Sequence, residues 1–278
     1  MSIPAIALNT GATIPQVGLG TWPLDDAQAA DAVAAGIEAG YRHVDTATKY
    51  GNEAGVGEGI RRSGIDREEL FVTTKLDGQF QGSDRAIDGI RAALERLGTS
   101  YVDLLLIHWP LPARDEFVST WRTFEKLHAD GLARAIGVSN FKPAHLDRLI
   151  AETSVVPAVN QIQISPAITR LEQRAYDDAH GIVTQSWSPL GGGSGVRSLL
   201  SEPVIVEVAD RLGRTPAQVV LRWHVQQGLV VIPKSSDPAR LAQNLDLFSF
   251  ELSPDDMASL ATLDEGPDAG VDSDSTGH

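Results

Sequence analysis

Val102-Asp103-Leu104-Leu105-Leu106-Ile107-His108 is the stretch that decides how this chain is read. A strand-like run, apolar except for Asp103, closes on a histidine that can give or take a proton. The same pattern recurs on either side of it. His43-Val44 ends on Asp45, Phe71-Val72-Thr73-Thr74 on Lys75, Ala135-Ile136-Gly137-Val138 on Ser139-Asn140, and Ala158-Val159-Asn160 on Gln161. Ile182-Val183-Thr184 leads to Trp187, and Leu229-Val230-Val231-Ile232 leads to Lys234. The runs are apolar along most of their length rather than alternating, as parallel strands covered on both faces must be.

Those endings fall at 45, 75, 108, 139, 161, 187 and 234, and most intervals suit one strand, one crossover helix and their loops. The intervening segments carry helical stripes, such as Ile87, Ile90, Leu94 and Leu97, or Phe117, Trp121, Phe124 and Leu127. Thr215-Pro216 with Gln218 spells an N-cap, a proline in the first turn and a capping box. Pro143 opens another helix over Leu146, Leu149 and Ile150. Right-handed crossovers then close the strands into an α/β (β/α)8 barrel with its active site at the strand C-termini, one domain over residues 1–278. Ile6-Ala7-Leu8, the turn Asn9-Thr10-Gly11-Ala12 and Thr13-Ile14 read as a hairpin ahead of a first barrel strand at Gln16 to Leu19. Gly191-Gly192-Gly193-Ser194-Gly195 reads as a loop. The tail after Gly266, over the barrel mouth, is expected to be disordered at its end.

Composition narrows the function. The chain has 278 residues, 42% of them hydrophobic, and a net charge of −14. That balance argues against a nucleic-acid footprint, which needs clustered positive charge. No apolar stretch reaches the ~20 residues of a membrane span, and Met1-Ser2-Ile3-Pro4 lacks the features of a signal peptide. A cytoplasmic monomer is the expectation. With no cysteine, thiolate catalysis and thiolate metal sites are excluded. No His-X-His or His-Glu-X-X-His occurs, so no metal is expected.

A barrel would gather Asp45, Tyr50, Lys75 and His108 from three successive strand ends. Together they suit proton transfer. A phenol ionises near ~10, and a lysine ammonium within a few ångströms lowers that value. Asp45 would hold Lys75 charged, and His108 would hydrogen-bond a substrate carbonyl. Gly55-Val56-Gly57-Glu58-Gly59 imitates a dinucleotide fingerprint but lies inside a predicted helix, so it is rejected as one.

These residues also carry a resemblance. His43-Val44-Asp45-Thr46-Ala47, Tyr50-Gly51-Asn52-Glu53, Thr74-Lys75 and Ile107-His108-Trp109-Pro110 resemble the aldo-keto reductases. So do Ile136-Gly137-Val138-Ser139-Asn140-Phe141, Val159-Asn160-Gln161, Ser188-Pro189-Leu190-Gly191 and Ile232-Pro233-Lys234-Ser235, in order, from Ala5 to about Leu263. Trp187 points to the branch of the bacterial 2,5-diketo-D-gluconate reductases. The resemblance implies Asp45, Tyr50, Lys75 and His108 as a catalytic tetrad with Tyr50 as proton donor, and NADPH extended across the barrel mouth. It implies Trp187 stacked on the nicotinamide, with Ser139, Asn140 and Gln161 on its carboxamide. Leu190 and Gly191 would line the pyrophosphate under the glycine-rich loop. Lys234, Ser235 and Arg240 would hold the 2′-phosphate, and Asn244 the adenine. Asp237 stands where such relatives carry arginine, which weakens the expected preference for NADPH over NADH.

After Lys75 the family usually continues Trp-Asn, whereas this chain has Leu76-Asp77-Gly78-Gln79-Phe80, a wider and more polar wall. Gln163-Ile164-Ser165-Pro166 likewise replaces the usual Glu-Leu-His-Pro. Trp22, Trp109 and Phe80 are the candidate substrate walls, the first two favoured by position. The implied reaction is NADPH-dependent reduction of small aldehydes, dicarbonyls, keto-sugars or keto-acids. Two rivals are a Schiff-base lyase using Lys75, which pairing with Asp45 disfavours, and a nucleotide-binding sensor without turnover.

Overall fold

The computed structural model describes residues 3–192 and 199–277. Strands β1 (Ala5–Ala7) and β2 (Thr13–Pro15) pair antiparallel with Ile6 opposite Ile14, the hairpin read from the sequence. Gly11 closes its turn at φ +83°, a left-handed conformation that glycine adopts without strain. Eight parallel strands follow: β3 (Leu19–Gly20), β4 (His43–Asp45), β5 (Phe71–Leu76), β6 (Val102–Ile107), β7 (Ala133–Ser139), β8 (Val159–Gln163), β9 (Val183–Trp187) and β10 (Val230–Val231). The barrel closes where Val17 bridges Val231, with Gly18 N–H bonded to Val231 O and Gly20 N–H to Pro233 O. The first barrel strand thus ends one residue beyond the expected Gln16–Leu19. A Cβ on Gly20 would lie 3.0 Å from Ile232 O, so glycine lets the seam draw together.

Every residue of β5 and β6 is buried, as strands between a filled barrel and a helical coat require. Leu104, Leu106, Val159 and Val230 meet Leu8 and Ile14 of the hairpin, which plugs the end opposite Asp45, Lys75 and His108. Helix α1 (Asp26–Ala39) packs on α2 (Glu53–Ser63), and α3 (Ser83–Leu97), α4 (Phe117–Ala129), α5 (Pro143–Glu152) and α6 (Leu171–Ala179) continue the coat. The long interval before Lys234 holds α7 (Pro203–Leu212) and α8 (Pro216–Gln226), the latter with the predicted Thr215–Gln218 capping box. Helices α9 (Pro238–Leu245) and α10 (Pro254–Ala261) follow. Gly55, Gly57 and Gly59 are packing glycines: a Cβ on Gly55 would lie 2.1 Å from Asp26 O, and one on Gly57 2.5 Å from Leu97 O.

The tail corrects an expectation. Instead of a disordered end, residues up to Gly277 lie against the protein. Val271 N–H donates to Gln163 Oε1 (2.8 Å), Arg170 reaches Val271 O (3.0 Å), and Lys142 bonds Asp272 and Asp274 (2.5 and 2.6 Å). Acidic composition suggested solvation, but cations on the barrel surface give the acids partners. Residues 193–195, the part of the glycine-rich loop expected over the pyrophosphate, lie outside the described residues.

Candidate active site

At the C-terminal end of the strands opens a cleft of about 700 Å³. Asp45, Tyr50, His108, Trp22, Trp109, Ser139, Asn140, Gln161, Trp187, Leu190, Gly191 and Lys234 are among the residues that line it. Lys75 lies beneath, fully buried. Its ammonium donates to Asp45 Oδ1 at 2.5 Å, Thr46 O at 2.9 Å and Tyr50 Oη at 3.2 Å. Burial alone would favour the neutral amine, but Asp45 and Tyr50 outweigh it and hold the Lys75 pKa above its ordinary value. All three ammonium donors are engaged, so no free amine is offered for a Schiff base. Asp45 Oδ2 accepts from Gln161 Nε2 at 2.7 Å, which satisfies the second oxygen of a buried carboxylate.

Tyr50 is positioned by a pinned turn. The Thr48 hydroxyl donates to Lys75 O (3.0 Å) and accepts from Asp77 N–H (2.8 Å). Tyr50 N–H bonds Ala47 O (3.0 Å), and the ring tilts against Trp22, centroids 5.2 Å apart. Its pKa corrects the expectation of a lowered phenol. Burial raises it, Lys75 pulls it down, Asp45 pushes it up, and the net displacement is upward. The sequence identified the cation but not the depth of burial. Tyr50 therefore stays protonated through neutral pH.

His108 is held by its backbone: N–H to Leu76 O (3.2 Å), and carbonyl from Asn140 Nδ2 (3.0 Å). Burial, then Lys75, then Lys49 hold its pKa well below 6.5, so the imidazole is neutral. Its Nδ1 is buried without a partner, which leaves Nε2 as the ring nitrogen facing the cleft. A neutral ring with Nδ1 unprotonated avoids burying an unused N–H.

Asn140, at φ +65°, spends its amide inside the protein. Its Oδ1 accepts from Trp187 Nε1 (2.9 Å), and its Nδ2 also donates to Ser139 Oγ (3.0 Å). Ser139 Oγ donates to Gln161 O (2.8 Å). This network fixes the indole of Trp187 in the cleft wall. The residue set suits an elongated dinucleotide: an aromatic face, a glycine pair at 191–192, and Lys234 with no ion pair among the described residues.

The remaining expected residues lie apart from the cleft wall. Ser235 Oγ accepts from Asp237 N–H (3.1 Å), just past Lys234. Asp237 is the N-cap of α9, its Oδ1 accepting from Arg240 N–H (2.9 Å), so a carboxylate occupies the head of that helix. Arg240 is exposed, and Asn244 is buried beside Tyr41. Phe80 is not a wall: it packs beside Gly89 of α3, because the turn of residues 78–80 folds back toward that helix. Asp77 Oδ1 is turned to Gly78 N–H (2.7 Å). His43, adjacent in sequence to Asp45, faces the other way. Its ring nitrogens meet Pro15 O (3.3 Å) and Thr73 Oγ1 (3.2 Å). Lys49 was missed by sequence reasoning, although its place just before Tyr50 was the available signal.

The comparisons agree with this architecture. The profile of the aldo/keto reductase family matches residues 16–265, and the chain belongs to that family. It is 49% identical to an aldo-keto reductase of Mycolicibacterium smegmatis over 97% of this chain and 96% of that one. It is 43% identical to methylglyoxal reductase DkgA of Escherichia coli, over 98% of each. The crystal structure of a Gox0644 point mutant in complex with NADPH superposes with a TM-score of 0.93, at 41% identity and over the full length of both chains. No helix among the described residues is long and apolar enough to cross a membrane.

Proposed function

We propose that this protein reduces aldehydes and ketones to alcohols with NADPH, and that Tyr50 gives the proton. The observation that carries the reading is the continuous bonding from Asp45 through Lys75 to the Tyr50 hydroxyl at the floor of the cleft. When bound, NADPH supplies the hydride that reaches the carbonyl carbon. As the C=O π bond opens, the Tyr50 O–H transfers its proton to the carbonyl oxygen, giving the alcohol and leaving a phenolate. Lys75, 3.2 Å away and kept charged by Asp45, stabilises that phenolate until solvent returns the proton. His108 Nε2 hydrogen-bonds the carbonyl oxygen and turns it toward Tyr50. Trp187, held by Asn140, would take the nicotinamide side of the cofactor, with Gln161 among the residues that would hold its carboxamide. Gly191 would admit the pyrophosphate, and Lys234, Ser235 and Arg240 would hold the 2′-phosphate, with Asn244 toward the adenine. Trp22 and Trp109 form the substrate walls.

The test is NADPH oxidation across aldehydes, dicarbonyls and keto-sugars, with Tyr50→Phe in parallel. General acid catalysis is worth ~10²–10⁴-fold. A loss of that size with NADPH binding retained supports the reading, and an equally active Tyr50→Phe sinks it.

A further inference from the structure

The chain contains five lysines, and three of them, Lys49, Lys75 and Lys234, belong to this one cleft. Lys75 is neutralised by Asp45, and Lys234 follows β10 at the barrel seam, where Gly20 N–H bonds Pro233 O. Lys49 is the unexplained charge. It lines the cleft beside Tyr50, His108 and Trp109, is exposed, and has no ion pair or side-chain hydrogen bond among the described residues. Asp45 is the one acidic residue of the lining, and both of its oxygens are already engaged. The backbone of Lys49 is fixed by the Thr48 and Tyr50 bonds of the pinned turn, so a flexible ammonium hangs from a rigid point. It is close enough for its charge to depress protonation of His108. In a chain of net charge −14, an unpaired cation at this position marks where a negative group is received.

We propose that Lys49 selects carbonyl substrates bearing an anionic oxygen group, a carboxylate foremost, a few atoms from the reacting carbon. The proposal rests on the reductase reading above and assigns its substrate class. Trp22 and Trp109 would cover the carbon skeleton, and the ammonium would meet the anion as water leaves, a charge-assisted bond stronger than one in open solvent.

The experiment compares kcat/KM for 4-carboxybenzaldehyde with that for its methyl ester, and for glyceraldehyde 3-phosphate with that for glyceraldehyde. Each pair is measured in the wild type, Lys49→Met, Lys49→Glu and Lys49→Arg. Any effect that Lys49 exerts through His108 falls on both members of a pair and cancels in the ratio. The acid-to-ester ratio should fall about tenfold in Lys49→Met, fall further in Lys49→Glu and be kept in Lys49→Arg. It should also shrink with added salt. A shift confined to the phosphate pair would overturn the assignment to carboxylates. Turnover of the neutral substrates with both ratios unmoved by Lys49→Met would overturn the role of Lys49 and leave the reductase reading standing. If nothing is reduced, that reading fails, and Lys49 is judged by the Kd of 4-carboxybenzaldehyde from tryptophan quenching. An equal Kd in Lys49→Met overturns the proposal, and about tenfold weakening supports it.

Discussion

Lys75 Nζ stands 3.2 Å from Tyr50 Oη, and the same ammonium is 2.5 Å from Asp45 Oδ1. The lysine thus ties a neutral acid to a buried anion, and removing it harms both. Lys75→Met should reduce kcat/KM about as severely as Tyr50→Phe and also destabilise the fold by ~3–5 kcal/mol, because Asp45 is left charged and buried. Tyr50→Phe leaves the ion pair intact and should cost little stability. Urea midpoints beside rate constants separate the two effects.

The pH dependence of reduction follows from two displaced groups. The Tyr50 phenol is held above its ordinary value of ~10, and the His108 imidazole well below ~6.5. If Tyr50 is the proton donor proposed above, it works while protonated, and loss of activity should come only in the alkaline range as it ionises. No break should appear near pH 6.5. Log kcat/KM against pH from 5.5 to 10.5 checks this, and a break near 6.5 that disappears in His108→Gln would show that the imidazole titrates there.

Cofactor preference should depend on Lys234 and Asp237. On the proposed pairing of Lys234 with the 2′-phosphate, Lys234→Met should weaken NADPH binding about tenfold and NADH binding much less. Asp237→Asn removes the negative charge at the head of α9 while keeping the oxygen that accepts from Arg240 N–H. It should raise the NADPH-to-NADH affinity ratio several-fold at a stability cost below ~1 kcal/mol. Titration calorimetry with both nucleotides reads each ratio.

Gly55 marks the closest approach of α1 and α2. A methyl there would lie 2.1 Å from Asp26 O, a backbone atom that cannot rotate away. Gly55→Ala should destabilise by at least ~1–3 kcal/mol despite alanine's better helix propensity. Gly64→Ala tests a different cause, since a Cβ there meets nothing but the backbone sits at φ +67°.

His43 supplies a pH dependence of stability. Burial lowers its pKa from 6.5 to about 4. The unfolded chain therefore takes up this proton first as pH falls. Stability is present in full above 6.5 and declines between 6.5 and about 4, by ~3 kcal/mol from this group. His224, likewise buried and lowered to about 4, adds a similar decline, and Asp177, raised to about 7, acts oppositely over much of the same range, so the His43 share must be read from a variant. Urea unfolding at a series of pH values in wild type and His43→Gln isolates the difference in slope.

Local rules made much of this legible. Apolar runs closing on Asp45, Lys75 and His108 marked the strands and their order, and the Thr215–Gln218 box marked the start of α8. These signals survive because hydrogen bonding within an element and burial of its face depend on neighbours a few residues away. The Gly55–Gly59 run was placed correctly in a helix, although its packing partners were not visible there. Phe80 and the tail went astray because their surroundings come from distant segments: Gly89 of α3 for one, Lys142, Gln163 and Arg170 for the other.

The sequence by itself determined the kind of fold, the residue types at the strand ends and their order along the barrel, since each follows from spacing and side-chain chemistry. The tertiary structure alone decided which atoms meet. Gln161 reaches Asp45 across 116 positions, Asn140 turns its amide to Trp187, and Lys49 stands charged and unpaired in the cleft. It also decided the sign of the Tyr50 displacement, because that sign sets the loss of water around the ring, helped by the Asp45 charge, against one nearby cation. Desolvation is a property of everything packed around a group, and no stretch of chain carries it alone.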